Sequence, residues 1–183
     1  WVMHCCTSNA TQGLYYAWEG TLRERGDHAE VNLFLNRAAR LLDIDSYLPY
    51  EGKVVLHNKL ARSLDIRIPA WVRREELRLE VNSAPSDPLW IGNRVYLDSL
   101  APGDSIALDF PIRQAIYTYT ANAHSPQEQV FTLLMRGSTL VDISPRDESP
   151  TSYPIYLREH LQADQAPVKE AKRFVPAKVV GGW

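Results

Sequence analysis

The chain has 183 residues, with 22 Asp and Glu against 20 Lys and Arg for a formal net charge of −2. At 45% hydrophobic and 23% charged it has the make-up of about one folded globular domain, and a near-neutral balance without a Lys/Arg run speaks against nucleic acid as a partner. No apolar run approaches the roughly 20 residues of a membrane span, and two cysteines exclude a disulfide scaffold.

The chain opens on Trp1-Val2-Met3-His4-Cys5-Cys6. No charged segment precedes an apolar core, so this is not a signal peptide, and it reads as internal sequence. From Ala10 to Arg25 there is no proline, and Leu14, Ala17, Trp18, Thr21 and Leu22 recur at helical spacing. Asn9 and Gln12 resemble a capping box, and Gly26 is a natural stop. The pattern predicts a helix over 10–25.

After Gly26 the period becomes two. Alternation predicts strands at 31–35, 64–68, 77–82 and 106–110, with further strands at 41–46, 53–58, 94–98, 114–121, 129–136 and 139–143. Turn signals separate them, among them Pro49-Tyr50-Glu51-Gly52 and Ala101-Pro102-Gly103-Asp104. Ten short strands without helical crossovers predict a mainly β fold, an antiparallel sandwich of jelly-roll type. Tyr153, Ile155 and Leu157 suggest one more strand in a proline-broken tail.

The unusual chemistry sits at His4-Cys5-Cys6, just ahead of the predicted helix. Adjacent cysteines bridge only through a strained ring. A thiol at a helix N-terminus ionises more readily, because the dipole favours thiolate. Spacing alone favours two small buried thiols leading into a helix, the common situation of free cysteine. Tyr15, Tyr16, Trp18, Trp71 and Trp90 could stack on a sugar, although core positions are their usual place. Asp43 and Asp45 share a strand face and read as solvated charge rather than as a paired acid and base. The five histidines show no metal spacing, and there is no Gly-rich phosphate loop.

A family resemblance lies in particular runs. They are His4-Cys5-Cys6-Thr7-Ser8-Asn9-Ala10 with Leu14-Tyr15-Tyr16-Ala17-Trp18-Glu19, Val31-Asn32-Leu33, Leu48-Pro49-Tyr50-Glu51-Gly52-Lys53-Val54 and Ile66-Arg67-Ile68-Pro69-Ala70-Trp71. Tyr153-Pro154-Ile155-Tyr156, Arg158-Glu159-His160 and Arg173-Phe174-Val175-Pro176 complete them. Together they resemble the C-terminal part of glycoside hydrolase family 127, the β-L-arabinofuranosidase-like proteins.

The resemblance implies a large (α/α)6 catalytic barrel upstream, of which residues 1–25 are the last helix, followed by a β-sandwich region over 26–183. It implies a retaining glycosidase for L-arabinofuranosides or related sugars, with Cys5 as nucleophile and Cys6 as a zinc ligand. The other zinc ligands and the acid/base Glu would lie in the missing barrel, so this chain alone is expected to be inactive. Expected partners are a carbohydrate substrate and that barrel, with neither nucleic acid nor membrane, and the assembly could be a homodimer. Unpaired cysteines with a required thiolate point to a reducing cytoplasm. The rival reading is a β-sandwich module that binds carbohydrate or protein and has no chemistry of its own.

Overall fold

In a computed structural model the described residues are 4–146, 161 and 163–167. The expected strand at 153–157 and the tail runs around 158 and 173 lie outside them. One helix, α1 (His4–Glu19), leads into a β architecture.

The first sheet contains β1 (Leu22–Arg25), β2 (His28–Val31), β6 (Ser63–Arg67), β9 (Leu89–Ile91) and β10 (Arg94–Leu97), in the order β1-β2-β6-β10-β9. The second contains β3 (Arg37–Ala38), β4 (Leu42–Ser46), β5 (Lys53–Asn58), β7 (Arg78–Val81), β8 (Ala84–Pro85) and β11 (Ser105–Asp109), in the order β3-β4-β5-β11-β7-β8. Alternate residues of each face inward. Ala29, Val31, Leu64, Ile66 and Val95 meet Ile44, Val54, Leu56, Ile106 and Leu108 in one buried cluster. This is the expected sandwich, and burial of these period-two positions is its main driving force.

Pairing is antiparallel throughout except between β2 and β6, which run parallel with Val31 opposite Ile66. The connection between them passes through β3, β4 and β5 of the opposite sheet. A crossover between sheets thus does what a helix would do in an α/β fold.

Two boundaries differ from the sequence reading. The helix ends at Glu19 rather than at Gly26, and 22–25 pairs with 28–31 as a hairpin. Gly26, with φ 63, is the turn of that hairpin instead of a helix stop. The strand expected at 31–35 lies at 28–31, because Asn32 and Leu33 bend away to donate to the Thr21 carbonyl.

A third sheet, β12 (Gln114–Ala121), β13 (Gln129–Arg136) and β14 (Thr139–Ser144), is an antiparallel meander. It stays outside the buried cluster and is docked by polar contacts. Trp71 Nε1 donates to Ser138 Oγ at 2.7 Å, and Arg136 donates to the Tyr50 carbonyl at 3.0 Å. Arg113 forks onto Glu76, its Nε 3.1 Å from Oε2. Gly137, at φ 58, sits where a Cβ would lie 2.9 Å from the Trp71 ring.

Gly52 is the tightest point of the sandwich. A Cβ there would lie 1.7 Å from the Phe110 carbonyl oxygen, and Phe110 N donates to Gly52 O at 2.8 Å. Gly52→Ala is therefore expected to force β5 and β11 apart and to destabilise the chain by roughly 2–3 kcal/mol. A urea melt checks this, since an unchanged midpoint would mean that the backbones part freely.

Docking of the third sheet should be acid-sensitive. The Arg113 guanidinium bonded to Glu76 holds that carboxyl below the usual carboxylate range. A lowered folded pKa means that the contribution is present at neutral pH and is lost as pH falls through the carboxylate range toward the folded value. Asp142, bonded to Arg146 in the same sheet, shifts the same way. Corrected for the slower intrinsic exchange at lower pH, hydrogen exchange of β12 and β13 amides should accelerate on acidification before that of β2 and β6. Glu76→Gln should reproduce the acceleration at neutral pH, and equal responses of both sets would refute the docking role.

Candidate functional site

Two places gather chemistry: the start of α1 and a cleft at the seam between the sandwich and the third sheet. The first begins with the helix itself. Cys5 and Cys6 belong to its first turn rather than to a loop ahead of it, because α1 starts at His4 and runs on through Thr7, Ser8 and Asn9. Asn9, the expected cap, is thus inside the helix, where such polar residues are only mildly unfavourable. The backbone of the cysteine pair is thus at the positive end of the dipole. The side chains of residues 4–8 lie outside the described ones.

The far end of α1 is tied to both sheets. Gly20 N donates to Tyr16 O at 2.8 Å, and Thr21 Oγ1 donates to Ala17 O at 3.3 Å. Arg37, from the edge of the second sheet, donates to Glu19 O at 2.8 Å and also to Trp18 O, with its guanidinium 4.3 Å from the Trp18 ring centre. Asn32 Nδ2 donates to Gly20 O at 3.2 Å. The carbonyls of Tyr16, Ala17, Trp18, Glu19 and Gly20 all have partners.

Between its ends the helix stands clear. Residues 9–18 are exposed, Leu14 to 73% and Tyr16 to 66%. The expectation that Tyr15, Tyr16 and Trp18 are core residues therefore fails within this chain. Their ring contacts are mainly with one another and with Arg37.

The cleft, of about 460 Å3, has a floor of Leu33, Phe34, Leu48, Pro49, Pro69 and Trp71. Asn32, Arg67, Asn93, Arg136, Ser138 and Thr139 supply its polar groups. Three of the sequence runs singled out above, far apart in the chain, meet here: Asn32-Leu33, Leu48-Pro49 and Arg67 to Trp71. Trp71 is fixed by its bond to Ser138 and by edge-on packing against Phe110 at 5.6 Å. Sequence reasoning offers Trp71 as a sugar platform while favouring a core position, and does not single out Arg67 or Asn93 as site residues. Arg67 lies in one of the runs singled out above, which is the available signal for it, whereas Asn93 lies in none of them. Trp90 is half-buried against the core, with Arg74 over its ring at 4.7 Å.

The remaining candidates separate. Asp43 is buried rather than solvated. Its Oδ1 accepts from Lys59 Nζ at 2.6 Å and from Ala39 N at 3.1 Å, so the carboxylate ties β4 to its flanking loops. Asp45 instead meets His57 Nε2 at 2.8 Å. His28 Nδ1 lies 2.8 Å from Ser63 Oγ. Among the described residues no three His, Cys, Asp or Glu converge on one point, and no helix is long and apolar enough to cross a membrane.

If Arg37 fixes the helix, Arg37→Ala should speed amide exchange over residues 14–19 by about tenfold, the size of a lost charged hydrogen bond. Gly13→Ala should act in the opposite direction by about 0.5–1 kcal/mol, since a Cβ there meets nothing within 4 Å. Unchanged exchange in Arg37→Ala would show that Thr21 and Asn32 suffice.

No protein-family model matches the chain, and no curated protein does. Solved structures do. The chain superposes on a GH127 β-L-arabinofuranosidase from Geobacillus stearothermophilus T6 with a TM-score of 0.54 and 20% identity, over 73% of this chain and 23% of that one. A second structure, described as a glycoside hydrolase, gives a TM-score of 0.51 and 20% identity over 73% of this chain and 24% of that one. The chain thus spans about a quarter of the length of the solved proteins that it matches. The resemblance read from the sequence is met at the level of fold: one helix and a β-sandwich with the architecture of a segment of these hydrolases.

Proposed function

We propose that the chain is the C-terminal β region of a longer retaining glycoside hydrolase, carrying the last helix of its catalytic barrel. The observation that supports this most is the pairing of that shared fold with a Cys-Cys pair on the first turn of a helix fastened at its other end. Cys5 is the nucleophile and Cys6 a metal ligand in this reading, and L-arabinofuranosides or related sugars are the substrates.

The donor chemistry suits zinc, which takes thiolate readily but wants about four ligands. His4, Cys5 and Cys6 are too few, so the remaining ligands come from the barrel. Bound zinc supplies a positive charge that keeps neighbouring thiol deprotonated. The chain's own part is positional. The helix dipole favours thiolate at Cys5, whose Sγ attacks the anomeric carbon as the glycosidic C–O bond breaks. The departing oxygen takes a proton from a barrel acid. Water then displaces the thiolate from the sugar, giving retention through two inversions.

The test uses the parent protein and an aryl β-L-arabinofuranoside. Cys5→Ser is expected to keep its zinc and to lose most of its rate, because a hydroxyl is far harder to ionise than a thiol. Cys6→Ser is expected to lose both metal and rate. Full activity in Cys5→Ser would remove the nucleophile assignment and return the pair to structural thiols.

A further inference from the structure

We infer that the cleft beside Trp71 binds a carboxylate-bearing saccharide, a sugar ring of the uronic acid type. This does not depend on the enzymatic reading and can be tested on the chain alone.

Charge carries the first step. The described lining of the cleft holds Arg67 and Arg136 and no Asp or Glu, in a chain whose net charge is −2. Arg136 is engaged with the Tyr50 and Ala163 carbonyls and with Asp164. The Arg67 side chain has no hydrogen bond or ion pair with any described residue. Directly across the ladder from it stands Arg94, another cation. Like charges facing each other across strands oppose folding. Arg94 is neutralised by Asp65, 3.3 Å from its Nε, and is held by Asn32. Arg67 keeps an uncompensated guanidinium whose planar fork matches a carboxylate.

The surroundings of that charge select a sugar. Trp71 is a large, immobilised aromatic beside Pro69 and Leu33, suited to the C–H face of a sugar ring. Asn93 has a carboxamide with no described partner, and Thr139 and Ser138 add hydroxyls, giving both donors and acceptors for ring hydroxyls. A volume of about 460 Å3 falls in the usual range of small-molecule sites. A simple anion would use Arg67 and leave the aromatic wall idle. A neutral sugar would use the wall and leave the cation unpaired.

The experiment is an NMR titration of the 15N-labelled chain with D-glucuronate, D-glucose, acetate and a short Glu-containing peptide. Saturable shifts of the Trp71 indole and Asn93 carboxamide signals are expected with glucuronate, and binding at least about tenfold weaker with the other three. Arg67→Ala should weaken glucuronate about tenfold, and Arg67→Lys should recover only part of that, lacking the fork. Arg67 is exposed, so unchanged amide shifts for Val54, Leu56 and Ile106 will show that each variant is folded. The inference is overturned if glucose binds as well as glucuronate, since the charge would then be idle. It is equally overturned if acetate or the peptide matches glucuronate, if folded Arg67→Ala binds normally, or if no probe saturates the Trp71 signal.

Discussion

A buried threonine and the asparagine opposite it, with Arg37 beside them, tie the helix to the two sheets of the sandwich. Thr21 is fully buried. Its carbonyl receives the backbone N–H groups of Asn32 and Leu33, at 2.8 and 3.4 Å, where β2 ends. The Asn32 side chain then reaches back to Gly20 O while its own oxygen accepts from Arg94. The orphan carbonyls of a helix end must find partners, and here they find them in both sheets. The direction of α1 is therefore set by the sandwich. A 16-residue helix is roughly 24 Å long, so a small change of angle at Gly20 would move the first turn by several ångströms. Asn32 also lines the cleft, which makes the helix end and the cleft wall parts of one hydrogen-bonded unit.

Much of the sandwich was legible because each central strand has one wet and one dry face. Leu64, Ile66 and Ile68 against Asp65 and Arg67 could be read from alternation alone, and the structure buries the first set. Where this failed, local pattern and long-range pairing disagreed. Leu22 continues the helical stripe of Leu14 and Trp18, yet its place is fixed by hairpin pairing with Val31, a contact that helical periodicity does not reveal. Asp43 looked solvated because charge on a strand face usually is. Its burial depends on Lys59, sixteen residues away at the end of the neighbouring strand β5. A buried carboxylate is tolerable only with such partners, and alternation carries no information about them.

The cleft shows a different limit. Arg67, Asn93 and Thr139 lie on three separate segments with no shared period. What brings them together is the register of β6 with β10, and the docking of the β13–β14 turn against Trp71 by way of Gly137 and Ser138. Gly137 had a sequence signal as a turn former, but its tight fit against an indole ring required the partner to be known. Family-like runs converging on one cleft were visible as runs, while their convergence was not.

Stability does not explain the arrangement of charge in that cleft. Surface ion pairs such as Arg25–Glu30 and Arg40–Glu24 contribute about 0–1 kcal/mol each, whereas the buried aliphatic cluster carries most of the folding energy. Replacing Arg67 by a neutral residue would remove a like-charge opposition with Arg94 without disturbing that cluster, because Ile66 and Ile68 supply the buried side of β6 and its continuation. A position where the charged residue is the less stable choice calls for a reason outside folding. The same argument does not reach Arg136, whose bonds to Tyr50 and Ala163 help dock the third sheet. Of the two cations in the cleft, Arg67 alone is free to meet a ligand at no cost to the fold.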